Sequence, residues 1–529
     1  MSGIRSWQRA RRATLVLSLL ALAPVTAGAA SASPPSPPQA PCTQPAPAGG
    51  DWPSYGRDLA NSRNQAGETT IDGSNAAGLT PAWKFSTGAA PSGDAGINAS
   101  PVVANGCVYT GATDGSIFAL DATTGRLVWT AKQTATTPGT GGTIVGSAAV
   151  SGNEVVFLID ETADGNGSGP YAVAYNKSTG ALLWRSRPIS THPGFYTNAS
   201  PVIADGLVFA GVSPAEGDPT GQGGFGLIDA RTGAIVKFTE VIPSADQAAG
   251  YAGAGVWSTP AVDTATGYAY VGTSNPYSKQ QEHRFTNAII KVDISRSRST
   301  FGQVVDAYKG NVDQYNEALL ALRNTPACAE TADQNVAVDN PVCGQIDLDF
   351  GAAPNLFTDS LGHQLVGGLQ KAGVYHAAYA DTMEAAWKSV VGGPCALCNA
   401  ASTAVGPTGV AVEGTPGGQL FSLARQDGAA NWVSPVGDGE HYQALAEANN
   451  VLYVADSAGL LDIVDASTGV PILRRPVAAD IGEPDTAALT SAGASVAEHG
   501  VFLATTGTSG GWIVAYRLPA SPSSPSPLG

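Results

Sequence analysis

Residues 97–132, INASPVVANGCVYTGATDGSIFALDATTGRLVWTAK, decide the fold, because close variants of this stretch recur down the chain. It opens with a small residue before Pro101 and Val102, continues through a β-rich run at Val108 and Tyr109, and turns at a Gly-rich segment. A third run ends at Ala119-Leu120-Asp121, and a Thr124-Gly125 turn leads to a last strand closing on Trp129. Four short strands separated by turn residues describe one propeller blade. One such blade cannot bury both faces alone, so the copies must stack side by side around an axis.

Eight copies can be followed. The second, 146–187, closes on STGALLW at Trp184; the third, 197–240, repeats NASPV and DARTG but has Lys237 where Trp is expected. The fourth, 256–310, has STPAV and the run Tyr268–Gly272, with a degenerate ending. The fifth, 346–392, and sixth, 402–437, end on Trp387 and Trp432, and the seventh, 441–477, carries DASTG at Asp465–Gly469. The eighth, 488–519, lacks a last strand, and LTPAWKFSTG near the N-terminus supplies one, with Trp83 in the place of Trp129. The fold expected is therefore all-β: an eight-bladed β-propeller of four-stranded blades, its ring closed by pairing the first strand with the last. The repeated Trp residues are read as interface fillers whose indole N–H groups meet backbone carbonyls.

Outside the ring, residues 1–32 read as an export signal: Arg5, Arg9, Arg11 and Arg12, then an apolar run from Ala13 to Ala23, then small-residue cleavage triplets. The run is too short for a membrane anchor, and the general secretory route fits better than the twin-arginine one. Residues 33–50 and 519–529 read as a Pro/Ala-rich leader and a tail without fixed structure, leaving 51–518 as the propeller. An insertion at 311–345 carries a short helix over Asp313–Arg323 and reads either as a lid or as a disulfide-pinned decoration. Six cysteines in an exported chain suggest disulfides, most economically Cys328–Cys343, Cys395–Cys398 and Cys42–Cys107. The net charge of −16 becomes about −20 once the four leader arginines are removed (−16 − 4), which argues against nucleic acid as a partner.

Chemistry in a propeller gathers where loops from all blades converge on the axis. Four places depart from the repeat usefully: Ser213-Pro214-Ala215-Glu216; Trp257 with Gly272-Thr273-Ser274-Asn275-Pro276; Asp347-Leu348-Asp349-Phe350-Gly351; and Gln370-Lys371. Two carboxylates and an amide on neighbouring blades form an all-oxygen set suited to Ca²⁺, although the same residue types also populate ordinary turns.

The opening DWPSYGRDLANSRN, the ALDxxTGxxxW repeats, GTSNP and LDFGAAP together resemble the quinoprotein alcohol dehydrogenases, propellers that bind pyrroloquinoline quinone (PQQ), and especially their polyvinyl-alcohol-dehydrogenase-like members. The resemblance runs over roughly residues 51 to 518. It implies that Glu216, Asn275 and Asp349 hold Ca²⁺ against the quinone, and that Asp349 also takes the proton of the substrate hydroxyl. It further implies Trp257 stacked under the cofactor, Lys371 near its carbonyl oxygens, and Ser213 and Ala215 beside it. The expectation is a secreted PQQ- and calcium-dependent dehydrogenase oxidising a primary or secondary alcohol, polymeric alcohols among the candidates.

Departures from the pattern favour a rival: a non-catalytic propeller that has lost PQQ and offers its ring as a binding or assembly scaffold. Blade 2 has DETADGNGSGPYAVAY where relatives carry two adjacent cysteines and an Arg, blade 6 begins NAASTAV where they carry a Trp, and Pro214 replaces a Gly. Asp164 and Asn166 read either as ligands to another cation or, more simply, as part of a Gly-rich turn. No attached haem is expected, since the one Cys-x-x-Cys, Cys395 to Cys398, precedes Asn399 rather than His, so electrons must go to a separate acceptor. His441 has no Ser or Cys nucleophile to pair with, which counts against a hydrolase.

Overall fold

The computed structural model describes residues 41–519 except 46–47, 89–95, 135–140, 216–217, 278–281, 312–347, 394–398, 415–417, 437–441, 483–492 and 508–509. The export signal, the helix at Asp313–Arg323, the pairs Cys328–Cys343 and Cys395–Cys398, Glu216, Asp347 and His441 lie outside the described residues.

Among the described residues eight separate sheets form, each built on four antiparallel strands that follow sequence order in all but the last, so the repeat read from the sequence is an eight-bladed propeller. Blade 1 comprises Val102–Ala104, Cys107–Gly111, Ser116–Asp121 and Leu127–Lys132, and blades 2 to 7 repeat that plan. Blade 8 takes its outer strand from Thr80–Ser86, which pairs antiparallel with Gly510–Arg517, Trp83 opposite Ala515. The ring is thus closed by the two ends of the chain, as expected. Two additions were not foreseen: Gly141–Thr143 joins blade 2, and Asn64–Gln65 joins blade 7 as a parallel strand. Helix is confined to two short turns, Ser244–Ala248 and Val477–Ile481, and a 3₁₀ turn at Ala76–Gly78 among the described residues.

The repeated DxxTG…W grammar has a physical basis. Asp121 Oδ1 accepts the Thr123 and Thr124 N–H groups at 3.1 and 2.8 Å, which folds the chain back so that Gly125 adopts φ +69°. The face without a side chain then lies flat on Trp83 of the preceding blade, where a Cβ would come within 2.6 Å of the ring. The Trp83 indole N–H donates to Ala122 O in the same turn, at 3.1 Å. Trp129, Trp184, Trp387 and Trp432 repeat this with Lys177, Ala230, Arg425 and Ala466 carbonyls at 2.7 to 3.0 Å. Where the Trp is missing the interface finds another contact. Lys237 lays its methylenes on Gly302, and between blades 4 and 5 Tyr270 Oη and Lys291 Nζ both donate to Ala380 O, at 2.8 and 2.9 Å.

Residues 50–63 pass beneath the innermost strands and tie them together. Gly50 O accepts from Glu498, Pro53 O from Val150, Leu59 O from Val262, Ala60 O from Leu356, Ser62 O from Val405 and Arg63 O from Glu447, while Trp52 exchanges both bonds with Val103. One stretch of chain therefore touches seven of the eight blades in ring order. Buried Arg63 sits at its end, donating to the Leu445, Tyr55 and Ala494 carbonyls and lying over the Trp52 and Tyr55 rings. Ahead of this stretch Cys42 is buried and disulfide-bonded to Cys107 of blade 1, the pairing anticipated for these two residues.

Candidate functional site

The centre of the candidate site is the Asp349 carboxylate, buried between blades 4 and 5. Its Oδ1 accepts the Asn275 backbone N–H at 2.5 Å; its Oδ2 accepts the Trp257 indole N–H at 3.2 Å and lies 3.4 Å from Lys371 Nζ. The ammonium of Lys371 stands 5.2 Å from the centre of the Trp257 ring, within cation–π range. Four residues that are distant in sequence thus converge, each placed by a loop at the same end of its blade. Asn275 follows the strand Tyr268–Gly272, Lys371 follows Gln364–Gln370, and Trp257 and Asp349 precede the first strands of blades 4 and 5.

Backbone contacts hold these loops in register. Phe350 N–H donates to Thr273 O at 3.2 Å, and Lys371 N–H donates to Asp349 O at 3.0 Å. Gly351 and Gly255 permit the close approach: a Cβ on Gly351 would stand 2.1 Å from the Trp257 ring, and one on Gly255 would stand 2.7 Å from Ser213 Oγ. Asn275 Nδ2 and Ser213 Oγ are both buried and find no partner among the described residues. An amide donor and a hydroxyl left without partners beside a buried carboxylate and an aromatic face suit a planar ligand that carries acceptor oxygens, since burial without a partner costs about 1–3 kcal/mol per group.

Of the residues singled out from sequence, Asp349, Asn275, Trp257 and Lys371 therefore come together directly, and Ser213 lies one glycine away. Ala215 is exposed, close to Gly194, and Glu216 lies outside the described residues. An axial cavity of about 210 Å³ is bounded by Trp257, Asn98, Ser147, Asn198, Tyr442 and, from the N-terminal stretch, Tyr55. Ala400, just ahead of the first strand of blade 6, also lines it.

Blade 2 offers different chemistry. At the end of its second strand, burial pushes the Asp160 carboxyl up to about 6 against the lowering effect of the Thr197 N–H at 3.1 Å. Its neighbour Glu161 is buried with Arg185 3.8 Å away. Neither had been marked from sequence; the signal was their place at a strand end equivalent to that of Ser213. Asp164 forms an ordinary turn, its Oδ1 accepting the Asn166 and Ser168 N–H groups at 2.7 and 3.2 Å, and these bonds hold its carboxyl below the usual range. The simpler reading of Asp164 and Asn166 is the one the structure supports.

Residues 52–144 match the family described as glucose/ethanol/alcohol dehydrogenase, β-propeller domain, with PQQ as its short name. Over 414 residues the chain is 24% identical to a polyvinylalcohol dehydrogenase of Pseudomonas sp., covering 73% of this chain and 59% of that one. A polyvinylalcohol dehydrogenase of Sphingopyxis sp. is 26% identical over 355 residues, covering 62% of this chain and 49% of that protein. The chain thus spans between half and three fifths of the length of these relatives. Among solved structures, quinohemoprotein alcohol dehydrogenase from Comamonas testosteroni superposes with a TM-score of 0.66 at 16% identity, covering 90% of this chain and 82% of that one, a likeness of fold.

Proposed function

We propose that this chain, a quinoprotein alcohol dehydrogenase-like β-propeller, is an exported oxidoreductase that removes two electrons from a primary or secondary alcohol with PQQ and a divalent cation, Ca²⁺ by its ligand chemistry. The observation that carries the reading is the Asp349 carboxylate gripped by Asn275 N–H, Trp257 N–H and Lys371. Asp349 and the side-chain Oδ1 of Asn275, with Glu216 from blade 3, would supply oxygen ligands of the kind a hard cation takes, and the unpartnered Asn275 Nδ2 would donate to the cofactor. Trp257 offers the flat apolar face for a planar cofactor, and Lys371, 5.2 Å from that ring, offers positive charge to its oxygens. When bound, the quinone supplies a two-electron acceptor whose carbonyl the cation polarises.

The part assigned to Asp349 is to take the hydroxyl proton of the alcohol as its carbon gives up hydride. Burial and three donors keep this carboxylate oriented, which is the preorganisation such a base needs. Electrons leave to a separate acceptor, since Asn399 follows Cys398 where attached haem requires His. Export agrees with the Cys42–Cys107 disulfide, which persists in an oxidising compartment, and no helix among the described residues is long and apolar enough to cross a membrane. The names of the relatives place polymeric alcohols among the substrates to try first.

Alcohol-dependent dye reduction by protein loaded with PQQ and Ca²⁺ tests the reading, with Asp349→Ala as control. Activity in the wild type and its loss in a folded Asp349→Ala protein support it. Equal rates in both remove Asp349 from the mechanism, and no activity with any alcohol favours the scaffold reading.

A further inference from the structure

Behind Asp349 and Lys371 lies a buried polar chain that the proposed chemistry does not use. Tyr308, on the outer strand of blade 4 (Val304–Lys309), has its hydroxyl 2.9 Å from His376 Nδ1, and His376 Nε2 is 3.0 Å from Gln370 Oε1. Gln370 in turn clasps the backbone of Asn311: Oε1 accepts the Asn311 N–H at 2.8 Å and Nε2 donates to Asn311 O at 2.8 Å. The backbone fixes this amide's orientation, because only Oε1 can accept from an N–H. His376 Nε2 therefore carries the proton, and Nδ1 accepts from the Tyr308 hydroxyl.

His376 is 1% exposed and Gln370 0%, and burial pushes the imidazole down to about 3, so the ring is neutral at any working pH. It acts as a fixed bridge and does not titrate in use. Its neighbours explain what it bridges. The Phe350 ring packs edge-on to His376 at 5.4 Å, and Phe350 adjoins Asp349; Gln370 adjoins Lys371. One imidazole thus holds the residues next to both members of the Asp349–Lys371 pair, and through Tyr308 it fastens them to blade 4, which carries Asn275 and Trp257.

We propose that His376 is a positioning residue that sets the placement of Lys371 against Asp349, with Tyr308 and Gln370 as its two arms. This rests on the function proposed above, but half of its test does not. His376→Leu removes both hydrogen bonds while keeping the site filled; His376→Gln retains a donor where Nε2 stood; Tyr308→Phe removes one arm and leaves the ring.

In the protein without cofactor, hydrogen exchange is followed in peptides covering 348–351 and 369–373, whose Phe350 and Lys371 amides are bonded to Thr273 and Asp349. His376→Leu is expected to speed their exchange about thirtyfold, the loss of two buried hydrogen bonds, with His376→Gln close to wild type and Tyr308→Phe, which loses one, between. In the loaded enzyme, kcat per bound quinone falls about tenfold in His376→Leu with the alcohol KM little changed, and His376→Gln recovers most of it. Wild-type exchange in His376→Leu overturns the proposal. So does a His376→Gln protein no better than His376→Leu at equal melting temperature, which would mark a filler of space. Absence of quinone binding by the wild type would refute the function while leaving the exchange result to judge His376.

Discussion

Gly351→Ala tests the floor of the site with a single methyl group. Gly351 is not in the left-handed region, so alanine carries no backbone penalty and acts by volume alone. Its Cβ would stand 2.1 Å from Trp257 Cη2 and 2.6 Å from Cζ2. Carbon atoms settle at about 3.5 Å, so the indole must move about 1.4 Å, and the 3.2 Å bond from its N–H to Asp349 cannot survive that shift. A hydrogen bond to a charged group contributes about 1.5–3 kcal/mol, equivalent to about a 10- to 150-fold loss of quinone affinity. The assay is quenching of tryptophan fluorescence by PQQ in excess Ca²⁺, with circular dichroism to confirm the β fold. Affinity within twofold of wild type would refute the placement of Trp257 beneath the cofactor.

Other outcomes follow from the scaffold. Trp184→Phe should lower stability by about 1 kcal/mol through loss of the 2.7 Å bond to Ala230 O, and Trp184→Ala by about 3–5 kcal/mol, read from thermal or urea unfolding. Opening the Cys42–Cys107 disulfide, which spans 65 residues, should cost about 4 kcal/mol, seen as a lower urea midpoint in Cys42→Ser/Cys107→Ser. Glu447 is buried against Gly406 with one carboxyl oxygen unpartnered, and burial pushes its carboxyl from 4.5 up to about 7, with Arg425 opposing. The folded protein then holds a proton that the unfolded chain releases, so stability should fall by about 3 kcal/mol as pH rises from 4.5 to 7, and Glu447→Gln should flatten that part of the profile.

The blade repeat was legible in the sequence because its signals are local. The Asp-capped turn, the left-handed Gly and the closing Trp recur at fixed spacing, and each of the five Trp–carbonyl contacts follows from that spacing. Ring closure was legible for a similar reason: the last copy lacks a strand and the first segment has one to spare. The path of residues 50–63 was not legible. Its partners lie in seven blades, and its own residues show no period, only glycine, asparagine and arginine at positions that must turn. Arg57, Asn61 and Arg63 all adopt positive φ there.

In the site, Asp349, Asn275, Trp257 and Lys371 were recognisable because the family pattern marks them, whereas composition alone offered only turn residues. His376 and Tyr308 were passed over because a histidine or tyrosine inside a strand reads as core, and Asp160 because its strand-end position alone did not mark it. Only the three-dimensional packing shows that His376 faces Gln370 and that Asp160 ends its strand under Thr197.

The central claim is that this ring holds a quinone through a metal ion. Equilibrium dialysis of the purified protein with PQQ, in Ca²⁺ and in EDTA, tests it most directly, alongside a Glu216→Ala/Asn275→Ala protein. One quinone per chain, bound in Ca²⁺ and lost in EDTA and in the double variant, is the predicted result. Binding indifferent to metal and to those two residues, or no binding at all, would contradict it.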